Sequence, residues 1–262
     1  MSFKPPQPFA EPTGRRIRVR LGDEIVAQSD RAQLFVQYGP GGLPTYYLPA
    51  ADVLDGALVD EQAAGGQRTW TVQVSGKRAE RAAWTHPDPS GALAGLAGHV
   101  TFSWRQLEWY EEDERVVRHA RDPHHRVDTL HSSRRVQVLA GGQVVADSAR
   151  PLLLFETSLP TRYYLPFEAV RTEFFEASDA TSVCPYKGRA RYWSVRVGDT
   201  VIRDVAWSYP DPIPENPKVR DLVAFFQERI DLVVDGEALA RPATPWSTPD
   251  GVAEGDAVHR DR

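Results

Sequence analysis

Cysteine is almost missing from this 262-residue chain, with Cys184 standing alone. One thiol closes no intrachain disulfide and supplies no multi-thiolate zinc site. Lysine is scarce too: Lys4, Lys77, Lys187 and Lys218 stand against 27 arginines, and Asn216 is the one asparagine. That skew is most simply a coding bias, but it makes each lysine more informative. Apolar runs long enough to span a bilayer are absent, which excludes a helical membrane protein. The first residues, Met1-Ser-Phe-Lys-Pro-Pro-Gln-Pro, lack the apolar stretch of a signal peptide, so a cytoplasmic location is expected. The net charge of −5 gives no global reason to bind nucleic acid or anionic lipid. Glycine-rich dinucleotide and phosphate loops, His-Glu-x-x-His and Gly-x-Ser-x-Gly are all missing. No cofactor and no metal is called for.

What the chain does contain is a repeat. Arg15-Arg-Ile-Arg-Val-Arg-Leu-Gly-Asp-Glu-Ile-Val-Ala-Gln-Ser29 matches Ser133-Arg-Arg-Val-Gln-Val-Leu-Ala-Gly-Gly-Gln-Val-Val-Ala-Asp-Ser148. Tyr46-Tyr-Leu-Pro49 matches Tyr163-Tyr-Leu-Pro166, and Trp70-Thr-Val-Gln-Val74 matches Trp193-Ser-Val-Arg-Val197. Ala83-Trp-Thr-His-Pro-Asp-Pro89 matches Ala206-Trp-Ser-Tyr-Pro-Asp-Pro212. Four ordered blocks with small changes of offset mark a tandem duplication. The expected organisation is a flexible tail (1–14), a first domain (15–118), a linker (119–132), a second domain (133–240) and a second tail (241–262).

Hydrophobic period is mostly two, as in Ile17, Val19 and Leu21 or Val136 and Val138, with turn residues between runs. The pattern predicts mainly antiparallel β domains of about seven strands, each with one short helix, at 90–98 and 215–223. Segments 99–110 and 224–234 each read as one long strand. The prolines after Trp84 and Trp207 should stop their strands, and Asp88 and Asp211 should cap the helices that follow. His119, His124 and His125 read as a solvated linker, and Glu111-Glu-Asp-Glu114 as a solvated strand end.

The copies diverge most at Cys184-Pro-Tyr-Lys-Gly188, where the first copy is shorter and has neither cysteine, tyrosine nor lysine. Three readings stay open. Lys187 close to Cys184 favours a nucleophilic thiolate, which makes Cys184 and Lys187 catalytic candidates. Alternatively, Lys187 is a point charge and Tyr186 a stacking face for a small planar or anionic ligand. Otherwise the segment is a tight turn with Cys184 buried as a small hydrophobe.

These residues resemble the DUF427 family of bacterial and fungal proteins in its tandem form. Val144-Val-Ala-Asp-Ser148, Tyr163-Tyr-Leu-Pro166, Cys184-Pro-Tyr-Lys-Gly188, Tyr192-Trp-Ser-Val-Arg-Val197 and Ala206-Trp-Ser-Tyr-Pro-Asp-Pro212 carry the resemblance. It implies two tandem β-tent-like domains, a fold in which two antiparallel sheets meet at a steep angle. That fold is similar to the thalidomide-binding domain of cereblon and to methionine sulfoxide reductase B. Fold analogy then offers Trp193, Trp207 and Tyr209 as parts of an aromatic pocket. The expected site is a small-molecule pocket in the second domain, lined by Tyr164, Tyr186, Lys187, Trp193, Trp207 and Tyr209. An enzyme using Cys184 and a protein-interaction scaffold are the alternatives, and the two small domains are expected to pack on each other.

Overall fold

A computed structural model describes residues 7–38 and 42–247, together with the backbone of 259–260. The chain divides into two compact units that part between Asp122 and Pro123. The first contains β1 (Phe9–Pro12), β2 (Ile17–Leu21), β3 (Glu24–Ser29), β4 (Gln33–Val36), β5 (Thr45–Pro49), β6 (Leu58–Ala64), β7 (Gln67–Val74), β8 (Lys77–Trp84), β9 (His99–Phe102), β10 (Glu108–Glu111) and β11 (Glu114–Val116). The second contains β12 (Val127–His131), β13 (Val136–Ala140), β14 (Gln143–Ser148), β15 (Leu152–Glu156), β16 (Arg162–Tyr164), β17 (Phe175–Cys184), β18 (Gly188–Val197), β19 (Thr200–Pro212), β20 (Val223–Phe225), β21 (Asp231–Val234), β22 (Glu237–Ala238) and β23 (His259–Arg260).

Strand order confirms the duplication element by element. In the first unit the sheets run β1-β4-β5-β9-β8-β7-β6 and β11-β10-β2-β3. In the second they run β12-β15-β16, β20-β19-β18-β17-β23 and β14-β13-β21-β22. The order of corresponding strands is interrupted at one place: β5 pairs β9 over two residues, whereas the second unit keeps a single bridge, Leu165 to Val223. The strand pairs are antiparallel throughout, so the chain is mainly β as its period-two pattern requires. Ile17, Val19, Val136 and Val138 are buried while Arg18 and Arg20 stay near solvent, which is that alternation made visible.

Three local expectations are corrected. No long strand spans 99–110 or 224–234. The N–H groups of Gln106 and Leu107 turn back to the Ser103 carbonyl, and those of Arg229 and Ile230 to Phe226. Each turn carries the chain from the large sheet to the four-stranded one, so the break builds the two-sheet architecture. The two expected short helices are present, as 3-10 helices at Gly91–Leu96 and Pro217–Val219. Glycines at 91, 95 and 98 and prolines at 214 and 217 leave too little helix-forming chain to nucleate more. Neither aspartate caps them: their N-caps are Ser90 and Asn216, and Asp211 meets Arg220 at 3.3 Å. Finally, β8 ends at Trp84, but β19 continues through Pro210 and Pro212. β20 covers β19 only from Ala206 to Ser208, so the prolines fall where that side of the strand is an edge.

The segments flanking the repeats also take part in the fold. Strand β1 lies within residues 1–14 and pairs with β4, and β12 lies within 119–132 and pairs with β15. Ala120 and Asp122 are buried, and His119 is buried with its Nδ1 2.8 Å from the Ala120 carbonyl. Glu111 is buried as well, bonded to the Tyr46 hydroxyl at 2.7 Å and to Arg15 at 3.1 Å. Among the described residues, no helix is long and apolar enough to cross a membrane.

Candidate functional site

The turn between β17 and β18 is held from both sides. The Lys187 amide donates to the Cys184 carbonyl at 3.3 Å, and the Ile213 amide donates to the Lys187 carbonyl at 3.2 Å. Asn216 Nδ2 donates to the Tyr186 carbonyl at 2.7 Å. Gly188 completes the turn with φ near 110°, a backbone region that side chains disfavour. With the backbone fixed this way, Lys187 points inward: its side chain is 10 % exposed.

Its partner comes from β15. Leu152 and Leu154 are core residues, and period two puts Glu156 on their face of the strand. Glu156 Oε2 accepts from Lys187 Nζ at 2.5 Å, while its Oε1 lies 3.0 Å from His125 Nε2. The three side chains are each a tenth exposed or less. The His125 ring stacks on Tyr186, with centroids 4.5 Å apart and planes inclined by 29°. Burial pushes the Glu156 carboxyl up, but the Lys187 ammonium and the His125 hydrogen bond outweigh it and hold it down at about 2. Burial also pulls Lys187 down, yet Cys184 and Glu156 beside it raise it overall. Both members of the pair are therefore charged. A lysine held as ammonium is an electrostatic group, not a nucleophile.

Behind this pair stand the aromatics. Trp207 Nε1 donates to the Tyr164 hydroxyl at 3.1 Å. Burial raises Tyr209 well above an ordinary phenol, and Tyr164 and Cys184 beside it add to the effect. Tyr164, Lys187, Trp207 and Tyr209 are all buried, so they form a packed wall and not an open cage. Cys184 and Tyr186 are the partly exposed members, on the solvent side.

Of the residues proposed from sequence, Tyr164, Cys184, Tyr186, Lys187 and Tyr209 come together around Glu156. Trp207 touches the group through Tyr164, but its other side covers Arg162, which makes a buried two-pronged ion pair with Glu228 at 2.6 and 2.7 Å. Trp193 is excluded. Tyr192 pairs with Trp207 and Trp193 with Ala206, so Trp193 faces the opposite side of the sheet, against Phe167 and Phe175. Neighbours in a strand cannot share a face. Sequence reasoning missed Glu156 and His125. A carboxylate continuing the core-facing period of an apolar strand was the available signal for Glu156. The expectation of a solvated linker fails at His125, whose side chain is buried against Glu156. Among the described residues, no group of three His, Cys, Asp or Glu side chains is placed to hold a metal ion.

The first unit keeps the wall without the charges. Trp84 hydrogen-bonds to Tyr47, whose hydroxyl is pushed up to about 12 by burial. His86 takes the place of Tyr209 and packs edge-on against Phe35 and Tyr47. Counting from the pairs Leu34–Tyr46 and Leu153–Tyr163, Gln37 stands where the second unit has Glu156. Gly65-Gly66 closes the hairpin where the second unit has its lysine turn.

The repeat, the paired strand orders and the shared Trp–Tyr bond all point to one family. A domain of unknown function, DUF427, matches residues 9–113 and again 128–236, which together make up most of the chain. The protein belongs to the DUF427 family. It is a tandem DUF427 protein, with the Cys-Pro-Tyr-Lys turn confined to its second domain. No curated protein matches the chain.

Proposed function

We propose that the second DUF427 domain is a small-molecule-binding module whose site is centred on the Lys187–Glu156 pair, with Tyr186 and Cys184 at its solvent side. One observation carries this reading: a buried, charged pair present in one of two domains that share every corresponding strand. A buried ion pair is weak support for stability, since apolar replacements of like volume are often neutral or better. The first domain makes the same fold without it, so the fold does not require it. The stacked Tyr186 and His125 rings favour a planar ligand. Because Glu156 already compensates Lys187, the polar end of that ligand meets both a donor and an acceptor.

The test is a thermal-shift screen of planar heterocycles, both neutral and carboxylate-bearing, against the protein and its Lys187→Met variant. Compounds should raise the melting temperature of the first and not of the second. A screen in which every hit stabilises both equally would sink the reading.

A second reading, thiol chemistry at Cys184, has its own support in the influence of Cys184 on the Lys187 ammonium. A nearby cation lowers the cost of a thiolate. On this reading Lys187→Met slows alkylation of Cys184 by iodoacetamide about tenfold at neutral pH. An unchanged rate would remove its basis. A half-buried thiol outside any disulfide also suits a reducing compartment, which supports a cytoplasmic location.

A further inference from the structure

The lysine of this site does not act alone. Glu156 uses one oxygen for Lys187 and the other for His125, and all three side chains are buried. We propose that His125 is a positioning residue of the site, which sets through Glu156 how much positive charge Lys187 presents toward Cys184. The proposal rests on the second domain holding a site at Lys187.

The argument is one of charge sharing. With a neutral imidazole, the carboxylate compensates the ammonium and the trio carries no net charge. With an imidazolium, one carboxylate serves two cations and the trio carries a net positive charge. Histidine is the side chain that makes this change between pH 5 and 8. Titratable groups that face the trio include Cys184 at the end of β17, Tyr186 in the turn, Tyr164 on β16 and Tyr209 on β19. Tyr164 and Tyr209 are raised by burial and stay neutral across that range, and Tyr186 supplies the face on which the imidazole lies. The site therefore accepts a neutral ligand at mildly alkaline pH and favours an anionic one, such as a carboxylate, at mildly acid pH.

The single cysteine makes this measurable without knowing the ligand. Iodoacetate and iodoacetamide both react by attack of the Cys184 thiolate on the iodine-bearing carbon. A C–S bond forms, the C–I bond breaks, and iodide leaves with the electron pair. Thiolate formation affects both rates alike and cancels in their ratio, which then reports the potential felt by the negative reagent. One added charge a few ångströms away in a partly screened site changes that ratio by roughly threefold to tenfold. The iodoacetate-to-iodoacetamide ratio should rise by this factor between pH 8.5 and 5.5 in the unaltered protein. His125→Gln, which still donates to Glu156 but cannot titrate, should flatten the profile. Glu156→Gln should hold the ratio high at every pH, and Lys187→Met should lower it throughout.

A constant ratio in the unaltered protein overturns the proposal, as does an unchanged profile in folded His125→Gln or, if that variant does not fold, His125→Asn. Where neither variant folds, a rise that Glu156→Gln flattens at a high ratio supports it, and one that Glu156→Gln leaves unchanged overturns it. A ligand screen without hits, alongside a histidine-dependent ratio, would sink the ligand reading and leave this one standing.

Discussion

Lys187 and Glu156 show how much one buried residue can cost when its partner is removed. Lys187→Met leaves a carboxylate in the interior with only His125 against it, and such broken pairs lose about 3–5 kcal/mol. Removing both charges, as Glu156→Gln with Lys187→Met, leaves no uncompensated ion and should lose less than about 1.5 kcal/mol. Urea titration of the single and double variants checks this, and equal losses would show that the pair is not held as buried charge. The pair also shapes acid stability. Glu156 is depressed from 4.5 to about 2 on folding, so its contribution is complete above about pH 4.5 and is lost as pH falls toward 2. Glu156→Gln should remove that part of the acid-induced loss. Lys187 and Cys184 were legible in the sequence because the two copies differ there. Glu156 was not, because it lies 31 residues away and only the β15 and β17–β18 geometry brings it to Lys187. Trp193 misled for a related reason: nothing local says which of Tyr192 and Trp193 faces the wall.

At the scale of elements, the β17–β18 turn is held by a glycine that nothing can replace cheaply. A Cβ on Gly188 would sit 2.9 Å from the Asp211 carbonyl oxygen, a backbone atom fixed within β19, and its φ near 110° is strained for any side chain. Gly198, in the next turn, has φ near 56° and open space around it. Gly198→Ala should cost about 1 kcal/mol, the ordinary left-handed penalty. Gly188→Ala should cost at least about 2 kcal/mol, since steric contact adds to a less tolerant backbone region. Urea midpoints compare the two, and a Gly188 variant no worse than the Gly198 one would mean that the turn moves freely. Hairpin turns of this kind were readable from glycine spacing, as were the strands they join. What the sequence pattern obscured was where strands end. The even spacing of Phe226, Ile230, Leu232 and Val234 suits one strand, yet the backbone turns at Phe226, because only a change of sheet buries both halves. The edge strands β1 and β12 were invisible for the opposite reason: Phe9–Pro12 and Val127–His131 lack a clean alternation, and pairing with β4 and β15 defines them.

For the whole molecule, the duplication has a thermodynamic consequence. The core of the first unit draws on residues from Ile17 to Ala120, and that of the second on residues from Val136 to Val234, with no buried residue in common. Each core joins strands from every sheet of its own unit, so each unit has what a domain needs to unfold as a cooperative whole. Expressed separately, 7–122 and 123–262 should each give a single sigmoidal urea transition followed by circular dichroism. A fragment with no cooperative transition would show that its core is insufficient alone. The site makes a sharper demand on the second fragment. His125, Glu156, Cys184, Tyr186 and Lys187 all lie beyond Pro123, so 123–262 should reproduce the alkylation ratio of Cys184 and its pH profile within about twofold. A fragment that folds but loses the profile would mean that the first domain, although it lacks the charged trio, still governs the site in the second.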